Sequence, residues 1–312
     1  MLILAYNFSP QIDTNLRKVE RLKEKIMLSP LSPRDELKYR WEATIDKTYW
    51  SLSLTNTPLT RKEMEVLLSK LNRKRLTDFE KLVIGYKEAL DYIKNNWSMT
   101  SKAVDLELIQ TLHKISEPSP GGIQDRTNLK LMLDYLLKSD EHAVLQAGIA
   151  QIQIINIAPF SDGNGRLARL LPYVYLHKAG YDCRGLFSVD EYFRRDIMTL
   201  KSSIETVTAS QNLTAWLEYY TRAVAKSLEN AYKKIKDPKS STYLSDNFFR
   251  LNKRQRKIVD YLDSPTARIT NSDLQDTFKI SQITAARDLT KLANIGVLLK
   301  HGGGRSTYYT KA

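Results

Sequence analysis

The chain has 312 residues and carries 48 Lys and Arg against 35 Asp and Glu, a formal net charge of +13. This length allows two or three domains, and the basic balance favours an anionic partner such as nucleic acid. Its one cysteine, Cys183, excludes an internal disulfide and favours a reducing, cytoplasmic compartment. No apolar run reaches the length of a membrane span, and residues 1–10 lack the basic start of a secretory signal, so we expect no membrane partner.

Apolar residues recur at helical spacing through most of the chain, which predicts a mainly α fold. In the segment 101–116, for example, Leu106, Ile109, Leu112 and Ile115 fall on one stripe. A loop follows at 117–122, since two prolines and two glycines cannot extend that helix. The predicted helices before and after the central region cover 16–27, 35–52, 61–71, 78–97, 101–116, 189–206 and 213–236.

The most informative segment is 158–169, which reads Ala-Pro-Phe-Ser-Asp-Gly-Asn-Gly-Arg-Leu-Ala-Arg. A buried helical pattern over 143–157 runs into it, and Pro159 ends that helix. Gly163 and Gly165 allow backbone N–H groups to approach a ligand, at the point where a second apolar helix begins. A glycine loop that leads into a helix N-terminus is an anion site, because the free N–H groups and the helix dipole point the same way.

Charged side chains in this segment fit a phosphate ligand. Arg166 and Arg169 are three residues apart, so they share a helix face and could hold successive phosphates. Asp162 lies in the loop, where its carboxylate could bind Mg²⁺. An ordinary helix-loop-helix turn is the alternative, but so many specified residues at fixed spacing argue against it.

The segment resembles the signature of the Fic family (filamentation induced by cAMP), His-Pro-Phe-x-(Asp/Glu)-Gly-Asn-Gly-Arg-x-x-Arg. The resemblance implies a Fic-type helical bundle that binds ATP and Mg²⁺ and moves AMP to a Ser, Thr or Tyr hydroxyl of a target protein, which could be the chain itself. It also implies that Asp162 ligates Mg²⁺ and that Phe160 anchors the loop. By the same resemblance, the phosphate-binding residues are Gly163, Asn164, Gly165, Arg166 and, for the γ-phosphate, Arg169. Gly165 further favours adenylyl over phosphoryl transfer, because relatives that transfer phosphate carry Lys there.

One position departs from the signature. Ala158 stands where the family has the histidine that serves as general base, and a methyl group cannot accept a proton. The chain as given is therefore expected to be inactive as an adenylyltransferase. Because every other specified residue is kept, a deliberate substitution that traps the enzyme is a better explanation of Ala158 than the decay of a natural pseudoenzyme. The four histidines, His113, His142, His177 and His301, lie outside the segment and are expected to be structural or exposed.

A second family feature lies upstream. Many Fic proteins carry an inhibitory helix with the pattern (Ser/Thr)-x-x-x-Glu-(Gly/Asn), whose glutamate pairs with the last arginine of the signature. Here Ser51 and Asn56 fit, but Thr55 stands where the glutamate belongs. Inhibition through an ion pair with Arg169 is therefore expected to be absent or weak. The alternative is a plain helix end followed by a Thr60–Glu63 capping box, and both interpretations can hold together. The loop from Glu117 resembles a short version of the family's target-docking flap.

Beyond residue 250 the pattern changes to a winged helix-turn-helix. Helices are predicted at 253–262, 271–278 and 281–295, with Gly296 ending the third, and strands at 297–300 and 306–310 flank a glycine-rich wing. Eleven Lys and Arg against five Asp suit phosphate contacts, and Gln282, Thr284 and Arg287 would read the major groove. Docking of a protein remains the other interpretation.

These observations predict a domain organisation and two candidate functions. The N-terminal helical region would cover 1–100, the Fic core 101–236, a linker 237–250 and the winged helix 251–312. The first candidate is a protein adenylyltransferase that lacks its base, with DNA or a target bound by the winged helix. The second is a nucleotide-sensing, DNA-binding regulator without transferase activity. A second copy of the chain, in a homodimer, is a further candidate partner.

Overall fold

The computed structural model describes residues 2–54, 58–69, 76–237, 251–262, 267–295 and 297–311. The fold is mainly α, as the sequence predicts. None of the helices within these ranges is long and apolar enough to cross a membrane. The first and larger part of the chain forms the following helices: α1 (Pro10–Leu28), α2 (Pro33–Ser53), α3 (Arg61–Ser69), α4 (Asp78–Trp97), α5 (Leu106–Ser116), α6 (Arg126–Lys138), α7 (Ala143–Ile157), α8 (Asn164–Lys178), α9 (Asp190–Arg195), α10 (Ile197–Ser210) and α11 (Thr214–Lys236).

Short polar side chains define where several helices begin. Ser9 and Ser32 cap α1 and α2, each followed by a proline in the first turn. Thr77 and Glu80 form a capping box at the start of α4. Each cap satisfies N–H groups that have no partner inside the helix, which sets the helix start.

Helix α7 is the centre of the bundle, because nearly all its residues are buried and α8, α11 and α6 pack around it. Gly148 permits the close approach of α11, since a Cβ there would lie 2.8 Å from the Tyr220 ring. The indole of Trp216 also donates a 2.8 Å hydrogen bond to the Gly148 carbonyl. Helices α1 and α11 pack along each other, so that one hydrophobic core joins the N-terminal helices to α7 and α8.

The structure differs from the sequence prediction in three places. The predicted helix 189–206 is two helices, α9 and α10, because the backbone at Asp196 leaves the helical region with φ −112° and ψ 44°. Helix α6 was missed, although Asp125 caps it and apolar residues bury one face. The predicted helix 61–71 ends at Ser69, and its last two residues lie outside the described ranges.

The C-terminal part forms a three-helix unit with a hairpin: α12 (Lys253–Tyr261), α13 (Asn271–Phe278), α14 (Gln282–Asn294), β1 (Leu298–His301) and β2 (Tyr308–Lys311). The strands pair antiparallel, with Leu298 opposite Lys311. It has a hydrophobic core of its own, against which Leu37 of α2 packs. Most of the proposed linker, 238–250, and Gly296 lie outside the described residues.

Candidate functional site

The signature segment begins where α7 ends. Ala158 is the C-cap of α7 and adopts a left-handed backbone, φ 47° and ψ 60°, with its N–H bonded to the Ile154 carbonyl at 3.0 Å. Its side chain is exposed to solvent. The family's base position therefore lies at the surface, at a sharp turn of the chain.

The loop after Ala158 is held by an aromatic stack. Phe160 is buried, and its ring lies parallel to that of His113 with centroids 3.6 Å apart. His113 Nε2 also lies 3.0 Å from the carbonyl oxygen of Asp162, so this nitrogen carries the proton and donates to that oxygen. His113 therefore has a structural role, because its side chain joins α5 to the signature loop.

Asn164 braces the loop from inside. Its amide nitrogen donates to the Phe160 carbonyl at 2.6 Å, and its side-chain oxygen accepts from the Phe160 N–H at 3.0 Å. Because both polar ends of this side chain bond to one backbone residue, Asn164 fixes the curvature of the loop.

The first turn of α8 has the features of an anion site. Its N-cap, Gly163, has φ 80° and offers no side-chain cap, so the N–H groups of the turn lack the partner that a Ser or Asp would supply. The carboxylate of Asp162 accepts from the Gly163 N–H at 2.5 Å. The Asp162 side chain is 88% exposed, so its second oxygen is open to solvent.

The carboxylate of Glu117, a residue predicted to lie in a loop, is part of this site. Glu117, the C-cap of α5, accepts hydrogen bonds from Nε and Nη2 of Arg166, both at 2.5 Å, and only 5% of its side chain is exposed. A Cβ at Gly163 would lie 2.5 Å from the same carboxylate. Burial by itself lowers the pKa of Arg166, but the hydrogen bonds and charge of Glu117 outweigh it and raise the pKa.

The last arginine of the signature points to a different set of residues. Arg169 donates from Nε to the hydroxyl of Ser51 at 2.6 Å, which joins α8 to the end of α2. Its Nη2 is buried and has no hydrogen-bond partner among the described residues. Burial lowers the pKa of Arg169, while the neighbouring hydroxyl of Tyr86 and the carboxylate of Asp190 act in the opposite direction. A buried guanidinium nitrogen without a partner is a donor that an oxyanion would satisfy.

The hydrogen bond between Arg169 and Ser51 shows where the inhibitory-like segment begins relative to the signature. Ser51 lies on α2 and is fully buried against Arg169, so the segment that matches the start of the inhibitory pattern does pack beside the signature. Thr55 and Asn56, which the sequence analysis aligned with the rest of that pattern, lie outside the described residues.

The loop 117–125 contains no strand within the described structure, so the flap is not a β-hairpin here. It nevertheless lies against the signature, because the Gln124 N–H donates to the Pro159 carbonyl at 2.8 Å. A Cβ at Gly121 would lie 3.3 Å from the Ser161 hydroxyl. The loop therefore covers the side of the signature next to Ala158.

The donor set fits Mg²⁺ only together with phosphates. Among the described residues no group of three His, Cys, Asp or Glu side chains could hold a metal ion by itself. Mg²⁺ is commonly bound through one or two carboxylates plus substrate phosphates. Asp162, with one oxygen free, is one such carboxylate beside an anion site.

The exposed face of α14 is a separate candidate site. Gln282, Ile283 and Arg287 are exposed, and Thr284 is half-buried beside them. Ile283 is 81% exposed, so this face combines an apolar side chain with polar and basic ones. The helix is fixed from behind by Asp288, which pairs with Arg254 and Gln255 of α12.

Comparison with known families assigns both regions. Residues 103–176 match the Fic/DOC family, and these include the signature, Glu117 and His113. The chain thus contains a Fic-family domain. Residues 254–309 of this Fic protein match the DeoR-like helix-turn-helix domain, in agreement with the winged helix predicted from the sequence.

One curated relative and several solved structures are similar to this Fic protein. The relative is "Protein adenylyltransferase Fic" of Nematostella vectensis, 24% identical over 194 residues, which are 53% of this chain and 45% of that protein. The chain thus spans less than half of the relative's length. A Fic family protein from Desulfovibrio desulfuricans G20 has the same fold over 98% of this chain and 97% of its own, with a TM-score of 0.62 and 15% identity. Fic-1 from C. elegans matches over 72% of this chain and 71% of its own, with a TM-score of 0.60 and 18% identity.

Proposed function

We propose that this Fic protein is built as a protein adenylyltransferase, an enzyme that moves AMP from ATP to a Ser, Thr or Tyr hydroxyl of a protein. The observation that carries the proposal is the uncapped start of α8, beside the left-handed turn at Ala158. Asp162 and Arg166 meet there, and Arg169 Nη1 would lie 3.4 Å from a Cβ at Gly165. The similarity to an adenylyltransferase of Nematostella vectensis supports it.

Each phosphate would meet a different part of the site. The N–H groups of Gly163, Asn164 and Gly165 would hold the α- and β-phosphates, because an uncapped helix N-terminus attracts negative charge. The guanidinium of Arg166 would support these phosphates once it is released from Glu117. Arg169 would meet the γ-phosphate with the Nη2 group that has no partner among the described residues. A bound Mg²⁺ would neutralise phosphate charge, with Asp162 as its protein ligand.

The missing element is the base. In the proposed reaction a target hydroxyl attacks the α-phosphate, loses its proton and displaces pyrophosphate. Ala158 cannot take that proton, and the loss of a general base typically costs about 10²–10⁴-fold in rate. The chain as given should therefore bind ATP and transfer AMP slowly or not at all.

The test is to install the base and look for AMP transfer. In Ala158→His, labelled AMP should become attached to the protein itself or to an added target when ATP and Mg²⁺ are supplied. Ala158→Asn is the matched control, since Asn also tolerates a left-handed backbone but is no base near neutral pH. If the two variants incorporate equal label, or neither does although both bind ATP, the transferase proposal fails.

The second candidate is a nucleotide-sensing, DNA-binding regulator without transferase activity. It is favoured by the helix-turn-helix match at 254–309 together with the exposed face of α14. DNA binding that responds to ATP, in a protein whose Ala158→His variant remains inactive, would favour this candidate. DNA binding in an active Ala158→His variant would join the two functions in one chain.

A further inference from the structure

A small cavity lies in the first part of the chain, away from the Fic signature. It has a volume of about 70 Å³ and is enclosed by α2, α4, the end of α8 and the turn that follows. A single water molecule needs about 10–15 Å³ of such space, so the cavity has room for a small oxyanion. His177 lines it and lies eight residues after Arg169 on α8, roughly 12 Å along the helix axis. The cavity is therefore distinct from the candidate nucleotide site.

Two lysines reach this cavity without a carboxylate partner. Lys47 is buried, with 7% of its surface exposed, and its ammonium lies 4.8 Å from the centre of the Tyr173 ring. Neither the Lys47 ammonium nor the Lys94 ammonium makes a hydrogen bond or ion pair with another described residue. A buried ammonium without an anionic partner is costly, because its hydration is lost and not replaced.

The neighbouring charges do not supply the missing partner. Arg40 and Arg184 also line the cavity, but both are paired with Glu36. Asp91 is paired with Lys87 at 2.5 Å. The charges of Asp182 and Asp190 oppose the effect of burial on Lys47, yet the pKa of Lys47 is still lowered to about 8. Asp190 also faces Arg169, which balances its charge.

The lining keeps a positive excess. With the ion-pair partners Glu36 and Lys87 included, five basic side chains face three carboxylates, which leaves two positive charges; the basic ones are Lys47, Lys87, Lys94, Arg40 and Arg184, and the acidic ones are Glu36, Asp91 and Asp182. Burial first, and then the charges of Lys47 and Lys94, lower the pKa of His177 to about 3, so this imidazole adds no charge near neutral pH. An anion with two negative charges would balance the cavity.

A second cavity continues from the first. Its volume is about 190 Å³, and it shares Arg40, Thr44, Asp91 and Lys94 with the smaller one. Its far side belongs to the C-terminal unit and includes Ile295, Leu298 and Lys300. A molecule with an anionic head and a larger, partly apolar body would thus contact the Fic bundle and the winged helix together.

We propose that these two cavities form a binding site for a small phosphate monoester, with the phosphate beside Lys47 and Lys94 and the organic part between α2 and the winged helix. A phosphate monoester carries up to two negative charges near neutral pH, which matches the excess of positive charge. Binding there would tie the position of the winged helix to the presence of the ligand, independently of ATP at the signature.

The experiment measures the binding of inorganic phosphate and of phenyl phosphate to the full chain by calorimetry at low ionic strength. Lys47→Met and Lys94→Met each remove one ammonium and keep an unbranched side chain, and either should weaken phosphate binding about tenfold or more, since a charge-assisted hydrogen bond is lost. Lys130→Met on the exposed surface of α6 is the matched control and should bind like the unaltered chain. Lys94 is only half-buried, so its variant should fold even if the Lys47 variant does not.

Arg166→Ala separates this site from the candidate nucleotide site. Phosphate binding that survives in Arg166→Ala and is lost in the two lysine variants supports the proposal, and tighter binding of phenyl phosphate than of inorganic phosphate supports the outer cavity. Unchanged binding in both lysine variants, loss in Arg166→Ala, or no binding by the unaltered chain in the millimolar range would overturn it. ATP binding is also measured in the Lys47, Lys94 and Arg166 variants. The proposed function is tested by ATP binding at the signature, so it can fail or hold whatever the phosphate measurement shows.

Discussion

Glu117 and Arg166 are 49 positions apart in the chain, yet the carboxylate of one receives two hydrogen bonds of 2.5 Å from the guanidinium of the other. The pair is almost fully buried and lies directly against Gly163. A nucleotide phosphate at the start of α8 would therefore compete with a carboxylate that already occupies Arg166.

The first prediction concerns this competition. Glu117→Gln keeps the size of the side chain but removes its charge, so Arg166 should become available and ATP should bind about tenfold more tightly, as expected for a charge-assisted interaction. The free protein should unfold at a lower temperature, because Arg166 is left buried without its counter-ion. Glu107→Gln, an exposed position on α5, is the control. Calorimetry that finds ATP binding unchanged or weaker would show that Glu117 does not compete with the nucleotide.

The second prediction concerns Arg169. Its buried Nη2 has no partner among the described residues, and the γ-phosphate is the proposed acceptor. Arg169→Ala should therefore weaken ATP binding by about tenfold or more, and ADP binding much less, since a lost hydrogen bond to a charged group is worth roughly 1.5–3 kcal/mol. Arg194→Ala on the surface of α9 should change neither. Equal losses for ATP and ADP would place Arg169 at a phosphate that both nucleotides share.

The third prediction concerns the C-terminal unit. The full chain should bind duplex DNA with an affinity that falls steeply as salt rises, because phosphate contacts release counter-ions. Arg287→Ala should weaken this binding, and if Arg287 contacts a phosphate, the slope of log K against log salt should drop by about one. Lys130→Ala on α6 is the control, because that side chain is exposed on a different helix. DNA that stays free at low salt and high protein concentration would instead favour a protein partner for α14.

The fourth prediction concerns acid stability. Burial lowers the pKa of His177 to about 3 from 6.5, and the charges of Lys47 and Lys94 add to this effect, while Asp182 lines the same cavity. Between these pH values the unfolded chain binds a proton that the folded chain does not, so the free energy of unfolding should fall as pH drops from 6.5 toward 3. The slope from this group is about 1.4 kcal/mol per pH unit.

The check is a denaturant titration at several pH values. His177→Gln should flatten the dependence, and His301→Gln should leave it as it is, because that side chain is half-buried at the edge of the hairpin. Parallel curves for the unaltered chain and His177→Gln would mean that other groups carry the acid response.

The sequence predicted much of the fold because helix starts and apolar stripes are local signals. Helices α4 and α13 begin and end where they were predicted, at Asp78–Trp97 and Asn271–Phe278, and each starts at a threonine capping box. The break between α9 and α10 carried no such signal, since no glycine or proline marks Asp196. Helix α6, which the prediction lacks, does have a local signal: the cap Asp125 stands before apolar residues at helical spacing.

The candidate site was predictable only along the signature itself. Spacing alone located Asp162, Gly163 and Arg166 at a helix start, and the structure places them there. The contributions of His113 and Glu117 come from α5, which meets the loop only through tertiary packing. A weak local hint exists, because positions 113 and 117 are four apart and therefore fall on one face of the end of α5.

The left-handed turn at Ala158 has a consequence for how this protein can change over time. The turn is closed by a backbone hydrogen bond to Ile154, and the loop beyond it is held by Phe160 and Asn164. None of these contacts uses the side chain at 158. If the proposed function holds, exchange of this one residue would remove or restore the base while the loop and the start of α8 keep their structure, so that binding and chemistry could be gained or lost separately.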